Sequence, residues 1–468
     1  MGMLRVVASQ IVAATALLPV CAQGQTNHLV DLGALTGYGI NNAGQAALST
    51  GLYANGTVTP LGALPGLTAS AVPAAINAAG EIAGNEVNAG LSPCGAANSA
   101  PPAIAVLFTI NAGLTSLPMP SCQPFTPGVV VAGINASGQV VGWGKFESSD
   151  ENFNALIYTN GVASELAAPS SMFGVPIGGG NESQALAIND SGVVTGTVVN
   201  TTPTPAVNDA FVYDNGVWTD LGGGSGNAIN ASGQVTGINA QAHAFIYSAG
   251  TTTDLGALPG ATGSDGTAIN AAAQVAGDSG GRAFLYNGIM TDLNALVGAD
   301  DPLKAFVTLK AAPGINDGGL ILANGVDTRD GLTHAYLLQV PVLNISPGLL
   351  GFSSEPIGMQ SGGQSITLTN LGASPIPVDS LTATGDFSVS QNGCGSSIAG
   401  SANCRVTVEF VSTASGDRSG SLTLVTGGLS FAIPMTGSSP VSVTISASPA
   451  TLMTGAESQL TWTLSKGS

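Results

Sequence analysis

Apolar residues between about 28 and 340 come in short alternating runs broken by Gly, Asn and Asp, the pattern of many short β-strands. One pattern recurs seven times: Ile-Asn-x-x-Gly, then an apolar pair and often another Gly. The copies begin at Ile40, Ile76, Ile134, Ile188, Ile229, Ile269 and Ile315. The Asn is present each time, at Asn41, Asn77, Asn135, Asn189, Asn230, Asn270 and Asn316, and only Ala273 replaces the Gly three residues later. This predicts a tight hairpin. The Ile ends a strand facing the core, the Asn opens the turn by bonding its own backbone, and the Gly takes the positive-φ position. The Gly that ends the motif permits close strand approach. Leu48 and Ala323 replace it in the first and last copies.

A second strand follows each motif, clearest at Ala155, Ala210, Ala244, Ala283 and Ala335, where Ala precedes an apolar or aromatic run. Several of these run into Asn-Gly, as at Asn160-Gly161, Asn215-Gly216 and Asn287-Gly288, a strong hairpin signal. A third strand ends in Asp-Leu-Gly or a relative, with Asp220, Asp254 and Asp292 in the later copies. The seventh repeat lacks that strand, and an orphan one, Val30-Asp31-Leu32-Gly33, precedes the first repeat. A ring accommodates both facts. The expected fold is all-β: a seven-bladed β-propeller closed by the N-terminal strand, which leaves no free edges. Copy spacings of 36 to 58 residues suit blades. A β-helix, the rival architecture, does not account for the orphan strand.

His243-Ala244-Phe245, the Ile-Asn-x-x-Gly-Gln-Val motif and Asp-Leu-Gly together resemble the bacterial HAF-type extracellular repeat family, over about residues 28–340. The resemblance implies an exported repeat protein and carries no activity.

Near Val340 the repeats stop, and Pro341, Pro347 and Gly348 mark a boundary. Alternating runs such as Ser365-Ile366-Thr367-Leu368-Thr369 and 405–410 predict an immunoglobulin-like β-sandwich over 341–439. The segments ITLTNLGASPIPVDSLTATGDFSV and VEFVSTASGDRSGSLTL, with Cys394 and Cys404, resemble a bacterial ASPM/hydin-type (ASH) module, also called choice-of-anchor D. Residues 440–468 resemble the opening strands of a further, partial Ig-like domain.

Residues 1–22 read as a secretory signal: Arg5, the apolar stretch Val6 to Val20, and small residues before a cut after Ala22. Four Cys then remain. The expected disulfides are Cys94 with Cys122 and Cys394 with Cys404, as befits an exported chain. No later segment has the long apolar run of a transmembrane helix. Nine Lys and Arg against 27 Asp and Glu give a net charge of −18, which argues against nucleic acid as a partner.

No motif for zinc proteolysis, nucleotide binding, serine hydrolysis or dithiol chemistry is present. His243 and His334 share a repeat position, which makes them structural. His28 is expected to be solvated. Asp31, Asp220, Asp254 and Asp292 read as turn carboxylates. The loop Trp143, Phe146, Glu147, Asp150 and Glu151 places aromatics beside acids and is the candidate ligand loop. Asp300, Asp301, Asp327 and Asp330 lie in loops with the oxygen ligands that calcium takes. No other cofactor is expected. The resulting expectation is a secreted, non-enzymatic binding or surface-structural protein. Its propeller displays loops for an extracellular glycan or protein ligand, and its Ig-like modules act as spacer. A secreted carbohydrate-active enzyme using loop carboxylates is the alternative.

Overall fold

The computed structural model describes residues 28–64, 71–87, 103–118, 129–144, 153–166, 171–172, 175–176, 182–200, 207–372, 375–440, 443–448 and 459–464. The signal segment 1–22 lies outside them. Among the described residues the chain is all-β apart from one short helix, Leu293–Leu296.

Each Ile-Asn-x-x-Gly copy joins the first two strands of an antiparallel sheet. In the first repeat Gly37–Ile40, Ala46–Leu48, Gly51–Ala54 and Thr57–Pro60 lie side by side in chain order. The second, third and sixth repeats build four-stranded sheets in the same way. The fourth and fifth merge into seven strands, because the 13-residue strand Val217–Ile229 is the last of one and the first of the next. The seventh sheet takes three strands from its own repeat, and Val30–Asp31 lies beside Thr333–Gln339 as the fourth. In that pairing Val30 faces Leu337 and Asp31 faces Tyr336.

The motif's chemistry explains why the turns look alike. In the fifth copy the Asn230 Oδ1 accepts from the backbone N–H groups of Ser232 and Gln234 (3.1 and 3.0 Å), holding the turn from within. The motif Gly has φ near +80°, as at Gly80 and Gly233, and Ala273 is forced to +56° in the sixth copy.

The Asn side chain also reaches the next repeat. Asn41 Nδ2 donates to the Asn77 carbonyl (3.0 Å), Asn77 to Asn135 (3.0 Å), Asn135 to Asn189 (3.1 Å) and Asn189 to Asn230 (3.1 Å). Asn230 donates to Asn270 (2.9 Å), Asn270 to Asn316 (3.1 Å), and Asn316 returns to the carbonyl of Asn41 (3.2 Å). These side chains are buried, so each bond satisfies a donor that water does not reach.

Seven apolar layers join consecutive sheets. Phe108 of the second sheet packs with Ala47 and Leu52 of the first, and Phe245 of the fifth packs with Ala210 and Leu221 of the fourth. Leu322, Ala335 and Leu337 of the seventh pack with Ala46 and Leu48 of the first. The motif's closing Gly faces a bulge in the first strand of its sheet. A Cβ on Gly196 would sit 1.9 Å from the Gln184 carbonyl oxygen, and one on Gly277 would sit 1.9 Å from that of Asp265.

Beyond residue 341 two four-stranded sheets stack. One holds Leu343–Ser346, Gln364–Asn370, Asn403–Phe410 and Phe387–Asn392. The other holds Leu350–Ser354, Leu429–Ser439, Gly416–Thr426 and Ser380–Ala383, with Leu350–Ser354 parallel to its neighbour. Phe352, Phe387 and Phe410 meet between them, with ring centroids 5.0 to 5.9 Å apart. Cys394 is bonded to Cys404. Val443–Ser448 and Gln459–Leu464 pair as a separate two-stranded ribbon.

The boundary at 341 is packed rather than open. Gln274 Nε2 donates to the carbonyls of Pro341 (3.1 Å) and Leu343 (3.4 Å), and Ile345 N–H donates to the Asn287 carbonyl (2.8 Å). One apolar core runs continuously from Leu285 and Leu293 through Leu343 and Leu350 to Phe410. Among the described residues no helix is long and apolar enough to cross a membrane.

Candidate functional site

In the later repeats the residue before the Ala-aromatic strand faces the Asp of Asp-Leu-Gly across the sheet. His243 Nδ1 lies 3.1 Å from both Asp254 oxygens. Arg282 lies 3.2 Å from Asp292, and His334 Nδ1 lies 2.9 Å from Asp31. The fourth repeat puts Asp209 where the others carry a base. Burial first and the charge of Asp220 second push its carboxyl above the usual range. The same Asp residues cap their own turns, Asp31 accepting from Gly33 N–H (2.8 Å), Asp220 from Gly222 (2.7 Å) and Asp254 from Gly256 (2.7 Å). Their reading as turn carboxylates fits these bonds. The partner across the sheet escaped the sequence reading, although both motifs hold fixed places in the repeat.

The seventh sheet concentrates the most chemistry, because its outer strand comes from the chain's beginning. Asp31 there meets residues from 327 to 336. His334 is nearly buried, with Nδ1 at 2.9 Å from Asp31 and Nε2 at 2.9 Å from Asp330. Burial works against its charge, but hydrogen bonds to the two carboxylates outweigh that and raise the imidazole above its ordinary value. Asp327 is 1% exposed and accepts from Arg329 Nε through both oxygens (2.9 and 3.0 Å). The Arg329 hydrogen bond first, against some burial, holds Asp327 down at about 2. Arg329 Nη2 also lies 3.7 Å from Asp31. A tight turn carries Asp327, Arg329 and Asp330, closed by the Gly331 N–H donating to the Asp327 carbonyl (2.8 Å), with Gly331 at a φ of +75°. Tyr336 is fully buried, its ring stacks on His334 at 6.0 Å, and its hydroxyl has no hydrogen-bond partner among the described residues.

Two further groupings stand out. Asp265 and Asp278 face each other on adjacent strands. Burial first, then the charge of Asp278, push Asp265 up to about 6 against a hydrogen bond from Asn227. A cavity of about 230 Å³ is lined by Leu29, Arg282, Asp292, Asn294 and Lys304 among others. Lys304 already donates to the Val297 carbonyl (2.8 Å) and to that of Asn294, so its ammonium is spent on closing the fold.

Of the candidate ligand loop, Trp143 is placed, half-buried in the strand Val140–Gly144. Phe146, Glu147, Asp150 and Glu151 lie outside the described residues, as do Cys94 and Cys122. His28, expected to be solvated, keeps 38% of its side chain exposed and lies 3.5 Å from the exposed Asp300. Asp301 is buried and accepts from the backbone N–H groups of Leu29 (2.5 Å) and Leu303 (2.7 Å), tying residue 29 to the 300 loop.

No family model and no curated protein matches this chain. Among solved structures, an ASH/PapD-like domain of human CEP192 aligns at 12% identity over 21% of this chain and 84% of that one, with a TM-score of 0.17. The Vibrio cholerae VesB protease aligns at 18% identity over 26% of this chain and 45% of that one, TM-score 0.17. WR4, a member of the MSP family from C. elegans, aligns at 7% over 21% and 97%, TM-score 0.16. At such scores nothing about function passes from them to this chain.

Proposed function

We propose that residues 28–340 form a seven-bladed β-propeller closed by Val30–Asp31, and that the protein is a secreted, non-enzymatic scaffold that binds an extracellular glycan or protein through its loops. The observation that carries the reading is the cycle of seven Asn side chains, each bonded to the next repeat and the last to the first. A closed cycle of packed sheets makes a rigid support. The polar residues that repeat from sheet to sheet are consumed in turns and cross-strand pairs, which leaves recognition to the segments that vary between repeats. The ASH-type resemblance of 341–439 and the signal-like residues 1–22 support an exported, modular protein. Because that module is packed against the sixth and seventh sheets, it acts as a fixed extension of the scaffold.

The test is a polysaccharide and glycan binding screen on the purified chain, with calcium and then with chelator, assaying the same wells for released sugar. Saturable binding without release supports the reading. Release of sugar overturns it in favour of a carbohydrate-active enzyme.

A further inference from the structure

We propose that Asp31, Asp327, His334 and Tyr336 form a binding site for one divalent transition cation of the zinc type, and that Arg329 occupies its place when the metal is absent. One carboxylate oxygen from each Asp and one imidazole nitrogen already lie within 4.8 Å of one another, so a small contraction brings them round a single ion. Two carboxylates and an imidazole are the donor set of a borderline cation rather than of calcium, which takes oxygen alone.

Three features of the surroundings support a ligand there. The Tyr336 hydroxyl is buried without a partner among the described residues, in a fully buried side chain. Its ring lies beside this cluster, stacked on His334 and reaching Gly325, two residues from Asp327. Asp31 stands opposite Tyr336 in the strand pairing, and His334, two residues along, stacks on the same ring. A Cβ on Gly325 would meet Tyr336 Cε2 at 3.2 Å, so this Gly leaves room for the ring to lie across the middle strand. Asp330 at His334 Nε2 is the outer carboxylate that commonly orients a metal-bound imidazole and leaves its other nitrogen to the ion.

Arg329 is the internal cation. It grips Asp327, approaches Asp31, and is nearly half exposed, with its guanidinium 5.6 Å from the Phe306 ring. It therefore leaves for solvent without disturbing a core.

Zinc chloride titrated calorimetrically into chelator-stripped full-length protein tests this. One zinc per chain is expected. Asp330→Asn is expected to weaken binding 10- to 100-fold, the usual cost of losing such an outer partner. Tyr336→Phe is expected to weaken it by about tenfold, and Arg329→Ala to tighten it on the order of tenfold through loss of a competing charge. His28→Ala, away from the cluster, leaves it unchanged. Arg329→Ala keeps the test decisive if an inner variant fails to fold. No zinc uptake by the wild type overturns the proposal, as does uptake that Asp330→Asn and Arg329→Ala both leave unaltered.

Discussion

At the scale of single residues, the repeated Asn does two jobs with one amide. Its oxygen holds its own turn, and its nitrogen holds the neighbouring sheet. Asn230→Ala removes donors to Gln234 and Asn270 and acceptors for Ser232 and Gln234, and is expected to cost about 3 kcal/mol in chemical denaturation. Asn230→Asp keeps the accepting oxygen and loses the donor. It is expected to be weaker than wild type by about 2 kcal/mol at neutral pH, recovering in part on acidification as the carboxyl regains a proton to donate. The turn role was legible in the sequence, because Asn and Gly sat at a fixed spacing seven times. The donation to the next sheet was not, because a periodic motif says nothing of which carbonyl its neighbour presents. Asp265 carries a second residue-scale prediction. Its folded value, raised to about 6 by burial and by Asp278, means the native state holds a proton that the unfolded chain releases near pH 4. Stability from this group is present below about pH 4 and is lost as pH rises through 6. Asp265→Asn should therefore raise the melting temperature at pH 7.5, by the equivalent of about 2 kcal/mol, and change little at pH 4. Equal effects at both pH values would refute the assignment.

At the scale of elements, each first strand bulges and the second strand answers with Gly. Gly277→Ala places a methyl 1.9 Å from the Asp265 carbonyl oxygen and 2.9 Å from Phe284 Cε1, where neither backbone nor ring has room. The expected loss is about 3 kcal/mol, read from denaturation midpoints. The close approach was legible from the motif's last Gly, and the hairpins from Asn-Gly: Asn160 and Asn215 adopt φ of +52° and +48° as such turns require. The shared strand Val217–Ile229 was harder to foresee. The motif ended the third strand at Asp220-Leu221-Gly222, yet Gly222, Gly223 and Gly224 carry the chain on from one sheet into the next, Gly222 and Gly224 at positive φ. The candidate site was legible only in pieces. Asp31 and His334 each belonged to a motif, but their meeting depends on how the seventh sheet is completed, and Arg329 and Asp330 belong to no repeat at all.

At the scale of the molecule, the break near residue 341 was visible as a change of pattern, while the packing across it was not. Gln274 occupies a motif position filled by Gln45, Gln139 and Gln234 elsewhere, and nothing in the sequence separates it from them. Only the fold shows that it reaches the next module. The seventh sheet depends on a strand more than 300 residues away from its partner, as the bond between Asp31 and His334 shows with a separation of 303. Leu32→Pro removes the Leu32 N–H that donates to the Ala335 carbonyl (2.8 Å). It should cost about 3 kcal/mol and strip hydrogen-exchange protection from Thr333–Gln339 before other strands. Uniform loss across all sheets would count against a localised closure.

That same strand sets a timetable for biosynthesis. Val30–Asp31 is synthesised before all seven repeats, yet its partner strand is made only after six of them. Closing so long a segment costs about 3 kcal/mol more in chain entropy than closing a ten-residue hairpin. Until then both the waiting strand and the last sheet expose edges able to pair with another copy of the chain. Crowded nascent chains would thus exchange their leading strands before they close on themselves, so yield should fall with expression rate rather than with the stability of the finished protein.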